Sequence, residues 1–198
     1  MSARRKPLRV EEPTLVPEAV DWNGPLCRVV CCSDDVETTM RPRNDFFLAS
    51  VTQLGMWVYT VSGHVDYEES DRKIRLGPGT VLAVPQPGRG SIVYDKKGLP
   101  WRRIYIGVEG GAALEIFNHV ISRYGHIHEL PKESDGVRAA RAFCAMVAKE
   151  PRRSPQFWSV EAYRWLNAWW SSCRESVPSV REMLDVEGGG SQLIGLSH

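Results

Sequence analysis

A mainly β chain with C-terminal helices is what this sequence predicts, and two observations carry the prediction. Between residues 26 and 110, short β-rich runs are separated by Gly, Pro and Asp turns, at the spacing of an all-β barrel or sandwich. After Gly110-Gly111 the apolar residues stop alternating and recur every three or four positions, which is the period of a helix face.

Taken in order, residues 1–25 hold Pro7, Pro13, Pro17 and Pro25 among charges with no periodicity, so an extended N-terminal arm is expected. The strand-like runs are Cys27–Cys32, Phe46–Thr52, Met56–Glu68, Lys73–Leu76, Thr80–Val84, Ser91–Tyr94 and Arg102–Val108. The hairpin at Glu69-Ser70-Asp71-Arg72 fixes its own register. With Glu68 opposite Lys73, Tyr67 meets Ile74, Asp66 meets Arg75 and Val65 meets Leu76. One face is then apolar and the other pairs opposite charges, the arrangement cross-strand energetics favour.

In residues 111–177, a helical segment, Ala113, Ile116, Phe117, Val120, Ile121 and Tyr124 form one helix face, with Gly125 as its stop. A second helix is expected from Ser134 to about Lys149, burying Val137, Ala140, Cys144 and Val147 before Pro151. Ser154-Pro155, a capping residue followed by a first-turn proline, opens a third that runs to about Ser176. Residues 178–198 contain Gly188-Gly189-Gly190-Ser191 and read as a flexible tail or linker.

With 198 residues the chain suffices for one domain and a sizeable core. Lys+Arg 25 against Asp+Glu 24 leaves a net charge of +1, so no global field draws it to nucleic acid or anionic lipid. No apolar run approaches a membrane span, and the N-terminus lacks a signal core. Five cysteines, an odd number with no Cys-x-x-Cys, read as buried free thiols of a cytoplasmic protein.

Linked signatures within Trp57–Gly111 carry a family resemblance. Trp57-Val58-Tyr59-Thr60-Val61-Ser62-Gly63 leads to Leu76-Gly77-Pro78-Gly79-Thr80, then Pro85-Gln86-Pro87-Gly88, then Tyr94, then Trp101-Arg102-Arg103-Ile104-Tyr105-Ile106-Gly107-Val108-Glu109-Gly110. This ordered set, about a quarter of the chain, resembles the N-terminal effector-binding and dimerisation domain of AraC-type transcription regulators. The resemblance implies a cupin-like (jelly-roll) β-barrel over residues 26–110 followed by two or three α-helices that dimerise. It also implies an effector pocket lined by Ser62, Tyr94, Trp101, Arg103 and Tyr105. In the family's pattern Tyr105 replaces a Trp and Val108 a Phe, which implies a reshaped pocket.

The residues support that wall independently. Alternation along Trp101–Val108 puts Ile104, Ile106 and Val108 on one face and Trp101, Arg103, Tyr105 and Gly107 on the other. Aromatic rings with a guanidinium make poor core and a good wall for a small polar metabolite, for instance a sugar. The alternative is that Arg103 is solvated while Trp101 and Tyr105 pack. Trp57 and Tyr59 are expected in the core.

Metal and catalysis are not expected. The cupin ligand positions fall on Ser50, Thr52, Met56 and Gly90 or Ser91, which supply no converging donors, so no metal or other cofactor is expected. His126-x-His128 is a tempting pair, but Glu129 would face away from it. No Gly-x-Ser-x-Gly elbow or phosphate-cradling loop is present. The leading expectation is therefore a sensing domain that is not an enzyme. A metal-free cupin-type enzyme acting on a sugar or small acid, and a dimerisation module with a filled barrel, are the alternatives. The resemblance implies DNA binding only through a C-terminal helix-turn-helix half, for which the residues after Val177 are too few. The chain is then an isolated sensor domain or a stand-alone relative. The aromatics of the third helix extend around more than half its circumference, so a homodimer is expected through Trp165, Trp169 and Trp170.

Overall fold

The computed structural model describes residues 14–15, 27–39, 44–45, 54–86, 88 and 90–176. The strands are β1 (Thr14–Leu15), β2 (Arg28–Glu37), β3 (Asn44–Asp45), β4 (Leu54–Ser62), β5 (Val65–Glu69), β6 (Arg72–Leu76), β7 (Thr80–Gln86), β8 (Ser91–Val93), β9 (Trp101–Glu109) and β10 (Ile127–Glu129). The helices are α1 (Gly111–Tyr124), α2 (Asp135–Lys149) and α3 (Pro155–Glu175). Among the described residues the strands form a six-stranded sheet, β1-β2-β9-β4-β7-β10, and a four-stranded sheet, β3-β8-β5-β6. The fold class is the one predicted, mainly β with C-terminal helices.

Both faces of the larger sheet are covered, which explains why its strands read as nearly unbroken apolar runs. Met56 and Val58 of β4, Leu82 and Val84 of β7 and Trp101 of β9 pack inward with Val65, Tyr67, Leu76, Ile92 and Tyr94 of the smaller sheet and its flank. Their neighbours Trp57, Tyr59, Val81, Ala83, Ile104, Ile106 and Val108 pack outward, under the three helices. A half-exposed sheet would have alternated polar residues onto one of these faces. Trp57 and Tyr59 are core, as expected.

The hairpin pairs Val65 with Leu76, Asp66 with Arg75, Tyr67 with Ile74 and Glu68 with Lys73, the register that the charge pattern dictates. Lys73 Nζ lies 3.2 Å from Asp66 and 3.3 Å from Glu68, and Arg75 Nε lies 3.3 Å from Asp66. Ile74 is the exception on the apolar face, 37% exposed on the terminal strand of the smaller sheet.

Two strand predictions need correction. Met56–Glu68 is two strands in different sheets, broken where Gly63 adopts φ +74 beside the carbonyls of Pro100 and Gly98. Cys27–Cys32 continues to Glu37, because Asp34 and Asp35 are held across the sheet by arginines of β9 instead of turning. Phe46–Thr52 lies outside the described residues.

Each helix starts and stops where its end signals fall. Gly125, at φ +83, closes α1 with its N–H donating to the Ile121 carbonyl. Ser154 caps α3, accepting from the Phe157 N–H at 3.2 Å, with Pro155 in the first turn. At Gly136 a Cβ would approach the Trp169 Cα to 2.8 Å, so the missing side chain is what lets α2 close on α3. The helix α3 packs against α1, α2 and β2 at once.

That three-sided packing corrects the expected dimer surface. Trp165 and Trp169 are 1% and 0% exposed, enclosed by their own chain, and have no face to offer a second copy. The Trp169 ring lies 4.9 Å from Phe117, 6.3 Å from Trp165 and 6.5 Å from Trp57. Trp170 is half-buried with its ring 5.0 Å from His119. The wide aromatic stripe serves the three internal neighbours of α3. Its exposed large apolar residues are Val160 and Tyr163 instead.

Candidate functional site

The inward face of β9 and the strand beside it build a polar cluster in the barrel interior. Register places Asp35 of β2 directly opposite Arg103. Arg103 Nε donates to Asp35 Oδ1 at 3.1 Å, and Nη1 donates to the Tyr94 hydroxyl at 3.4 Å. The guanidinium lies 4.7 Å above the Trp101 ring, and Tyr94 meets the same ring edge-on at 5.9 Å. Burial opposes the Arg103 charge, but Asp35 and Tyr94 outweigh it, so its pKa sits above the ordinary arginine value. One residue further inward along this face, the Tyr105 hydroxyl donates to Met56 Sδ at 3.5 Å and also bonds to Cys31. Burial, then the neighbouring Cys31, hold the Tyr105 phenol well above its usual pKa.

Four of the five predicted pocket residues are therefore together: Tyr94, Trp101, Arg103 and Tyr105. Their roles differ from expectation in one respect. Trp101 is wholly buried, its Nε1 donating to Thr60 Oγ1 at 3.2 Å, so it is a platform beneath Arg103 and not an open stacking face. Ser62 is not part of the cluster. The β4–β9 register shifts between Thr60 and Ser62, which leaves Ser62 exposed at the barrel rim opposite Arg102. Asp35 is the member that the sequence reading missed. The signal was the pair Asp34-Asp35 against Arg102-Arg103, opposite charges in strands of matching length. Asp34 takes Arg102 at 3.1 Å on the other face of the sheet, joined there by Arg141 at 3.5 Å.

His126 and His128 do not form a joint site. The His128 ring stacks on Trp169 at 5.9 Å and its Nε2 receives the indole N–H at 3.1 Å, while Nδ1 lies 3.1 Å from the Gly125 carbonyl. His126 turns to the smaller sheet, its Nε2 3.4 Å from Glu69 Oε2 and its ring 5.8 Å from Tyr67. Among the described residues no three His, Cys, Asp or Glu side chains are grouped to hold a metal ion. Of the cupin ligand positions, Ser50 and Thr52 lie outside those residues.

The His128 contacts define a pH dependence. With Nε2 accepting from Trp169 and Nδ1 donating to Gly125, the imidazole is neutral, and a second ring proton would face the indole N–H. Burial lowers its pKa below the ordinary 6.5, with nearby His126 adding to the effect. A folded-state pKa below the unfolded one means that this stabilisation is complete above about pH 6.5 and lost as pH falls through the folded value. Melting temperature should therefore fall more steeply for the wild type than for His128→Gln between pH 7.5 and 5. Superimposable pH profiles would show that His128 does not titrate against folding.

Cavities lined by described residues include the following. One, of about 270 Å³, is bounded by Tyr67, Glu69, Val84, Pro85, Gly88, Ile121 and His126. Another, of about 310 Å³, lies at the C-terminal end of α3 beside Ser171, Arg174 and Glu175. Neither includes a residue of the Arg103 cluster.

In class, this is a two-sheet antiparallel β-barrel with helices banked on one sheet and an ion-paired arginine inside. Solved structures similar to it include two regulators and a cupin. The AraC-like transcriptional activator CuxR aligns with 72% of this chain and 54% of its own, at 9% identity and a TM-score of 0.40. ToxT from Vibrio cholerae O395 aligns with 75% of this chain and 56% of its own, at 10% identity and a TM-score of 0.40. A Cupin 2 conserved barrel domain protein from Salinispora arenicola CNS-205 aligns with 60% of this chain and 97% of its own, at 13% identity and a TM-score of 0.29. The chain thus spans about half the length of the two activators. No protein-family model and no curated protein matches the sequence. Among the described residues, no helix is long and apolar enough to cross a membrane.

Proposed function

We propose that this chain is the effector-sensing and dimerisation domain of an AraC-like transcription regulator, that it is not an enzyme, and that it reaches DNA only through a C-terminal half outside this sequence. The observation that carries the reading is Arg103. A guanidinium kept 16% exposed inside a barrel is costly as core and useful as a recognition group. Among the described residues Asp35 engages Nε and Tyr94 engages Nη1, which leaves Nη2 for the hydroxyls or carboxylate of a small polar metabolite. Trp101 beneath and Tyr94 beside the fork hold its plane, so little ordering accompanies binding. All five cysteines are free thiols, in keeping with a cytoplasmic protein. Dimerisation in this reading uses the exposed side of α3, around Val160 and Tyr163.

Isothermal titration against sugars and small acids tests the site. For a ligand that binds, Arg103→Ala should cost about 1.5–3 kcal/mol, the worth of a charged hydrogen bond, and Arg103→Lys should recover part of it while keeping a cation opposite Asp35. Equal affinity in the wild type and in a folded Arg103→Ala would remove Arg103 from the site.

A metal-free enzyme acting on a sugar or small acid is the second reading, favoured by the same grouping of two phenols and an arginine. The raised pKa keeps the Tyr105 phenol protonated, so in this reading it is a hydrogen-bond donor to the bound ligand and not a base. Conversion of the titrated ligand, followed by NMR, would favour this reading over sensing.

A further inference from the structure

The cavity of about 270 Å³ includes no residue of the Arg103 cluster among its described lining residues. Among the described residues its walls are Tyr67 and Glu69 of β5, Val84 and Pro85 of β7 with Gly88 beyond them, Ile121 of α1, and His126 just before β10. Most of that lining is apolar. The polar atoms that stand out are the Glu69 carboxylate and the His126 imidazole. Oε2 and Nε2 are 3.4 Å apart, near enough for an ion pair, yet they lack hydrogen-bond alignment. Among the described residues Nε2 thus has no hydrogen-bond partner, although solvent does not reach that atom. A buried nitrogen of this kind costs free energy until something bonds to it.

We propose that this cavity binds a small organic cation, a primary ammonium on a compact apolar body. An ammonium carries three donors and no acceptor, so one group can donate to the Glu69 carboxylate and, in the ring tautomer whose proton sits on Nδ1, to His126 Nε2 as well. A carboxylate ligand would instead be repelled by Glu69. The Tyr67 ring, 5.8 Å from the imidazole, adds an aromatic wall of the sort that attracts cations. Val84, Pro85 and Ile121 receive the apolar body. The volume lies below the roughly 300–1,000 Å³ of drug-sized sites, which limits the body to about one ring or a short alkyl chain.

Three probes of matched shape test this: benzylammonium, benzyl alcohol and benzoate, each titrated calorimetrically at pH 7.5. The expected result is saturable binding of benzylammonium and weaker or no binding of the other two. Affinity should fall roughly tenfold or more in Glu69→Gln, where a charge-assisted hydrogen bond becomes a neutral one. Both Glu69 and His126 are partly exposed, so Glu69→Gln and His126→Gln are compatible with the fold. Arg103→Ala should leave benzylammonium binding unchanged, which keeps failure at this cavity distinct from failure at the Arg103 site. The proposal is overturned if benzylammonium gives no saturable binding, if it binds Glu69→Gln as tightly as the wild type, or if benzoate binds better.

Discussion

Trp169→Ala is expected to lower the stability of the fold by about 3–5 kcal/mol, the range for removing a fully buried tryptophan. The ring is completely enclosed and stands between the outer face of the larger sheet and two helices, touching Trp57, Trp165, Phe117 and His128. No neighbour can collapse into the space without abandoning another ring. The substitution also strips His128 Nε2 of its indole donor, which adds the cost of an unmet acceptor. Urea denaturation at two protein concentrations measures this and separates core from interface. A core residue shifts the midpoint equally at both concentrations, whereas an interface residue produces a shift that shrinks as protein is added. A loss below about 1 kcal/mol would contradict the packing described here.

Gly63→Ala should be nearly as damaging, by about 2–5 kcal/mol. The backbone at Gly63 has φ +74, a left-handed conformation that costs a residue with a Cβ about 1–2 kcal/mol. An added Cβ would also lie 2.4 Å from the Pro100 carbonyl oxygen and 2.5 Å from that of Gly98. Both are backbone atoms, and the adjoining His64 N–H donates to the Gly98 oxygen at 3.1 Å, so the strand cannot move aside without losing that bond. Overpacking of this kind adds about 1–3 kcal/mol. The change strikes where the chain passes from the larger sheet to the smaller one. Gly77→Ala is the control, since a Cβ there meets nothing within 4 Å. Equal melting temperatures for the two variants would refute the account of Gly63.

Much of the barrel was legible because its information is local. The β5–β6 register follows from charges that oppose one another across a short turn, and the structure adopts that register. The three helices are bounded by Gly110-Gly111 and Gly125, by Ser134, and by Ser154-Pro155 and the residues before Val177; Gly125 closes α1 through its own N–H and Ser154 caps α3 with its side chain. The candidate site was half legible. Alternation alone put Trp101, Arg103 and Tyr105 on one face of β9. Ser62 was misplaced because a one-residue register shift between Thr60 and Ser62 leaves no mark in a single strand's sequence. Asp35 was missed because Ser33-Asp34-Asp35 looks like a turn until the arginines of β9 are set beside it.

The tryptophans of α3 draw the line between the two kinds of information. Residue order alone makes α3 a helix, marks where it starts, and spreads its apolar residues over more than half its circumference. It determines likewise that one face of the β5–β6 hairpin is apolar and the other carries paired charges. What covers those faces is settled by packing between elements distant in the chain. An apolar surface asks to be removed from water, and the hydrophobic effect is indifferent to whether the same chain or another one removes it. Here α1, α2 and the outer face of the larger sheet close around Trp165 and Trp169, so burial that could have come from a second copy is supplied from within. The same holds for Arg103, whose charge the sequence announced and whose partners Asp35 and Tyr94 were brought to it by strand register alone.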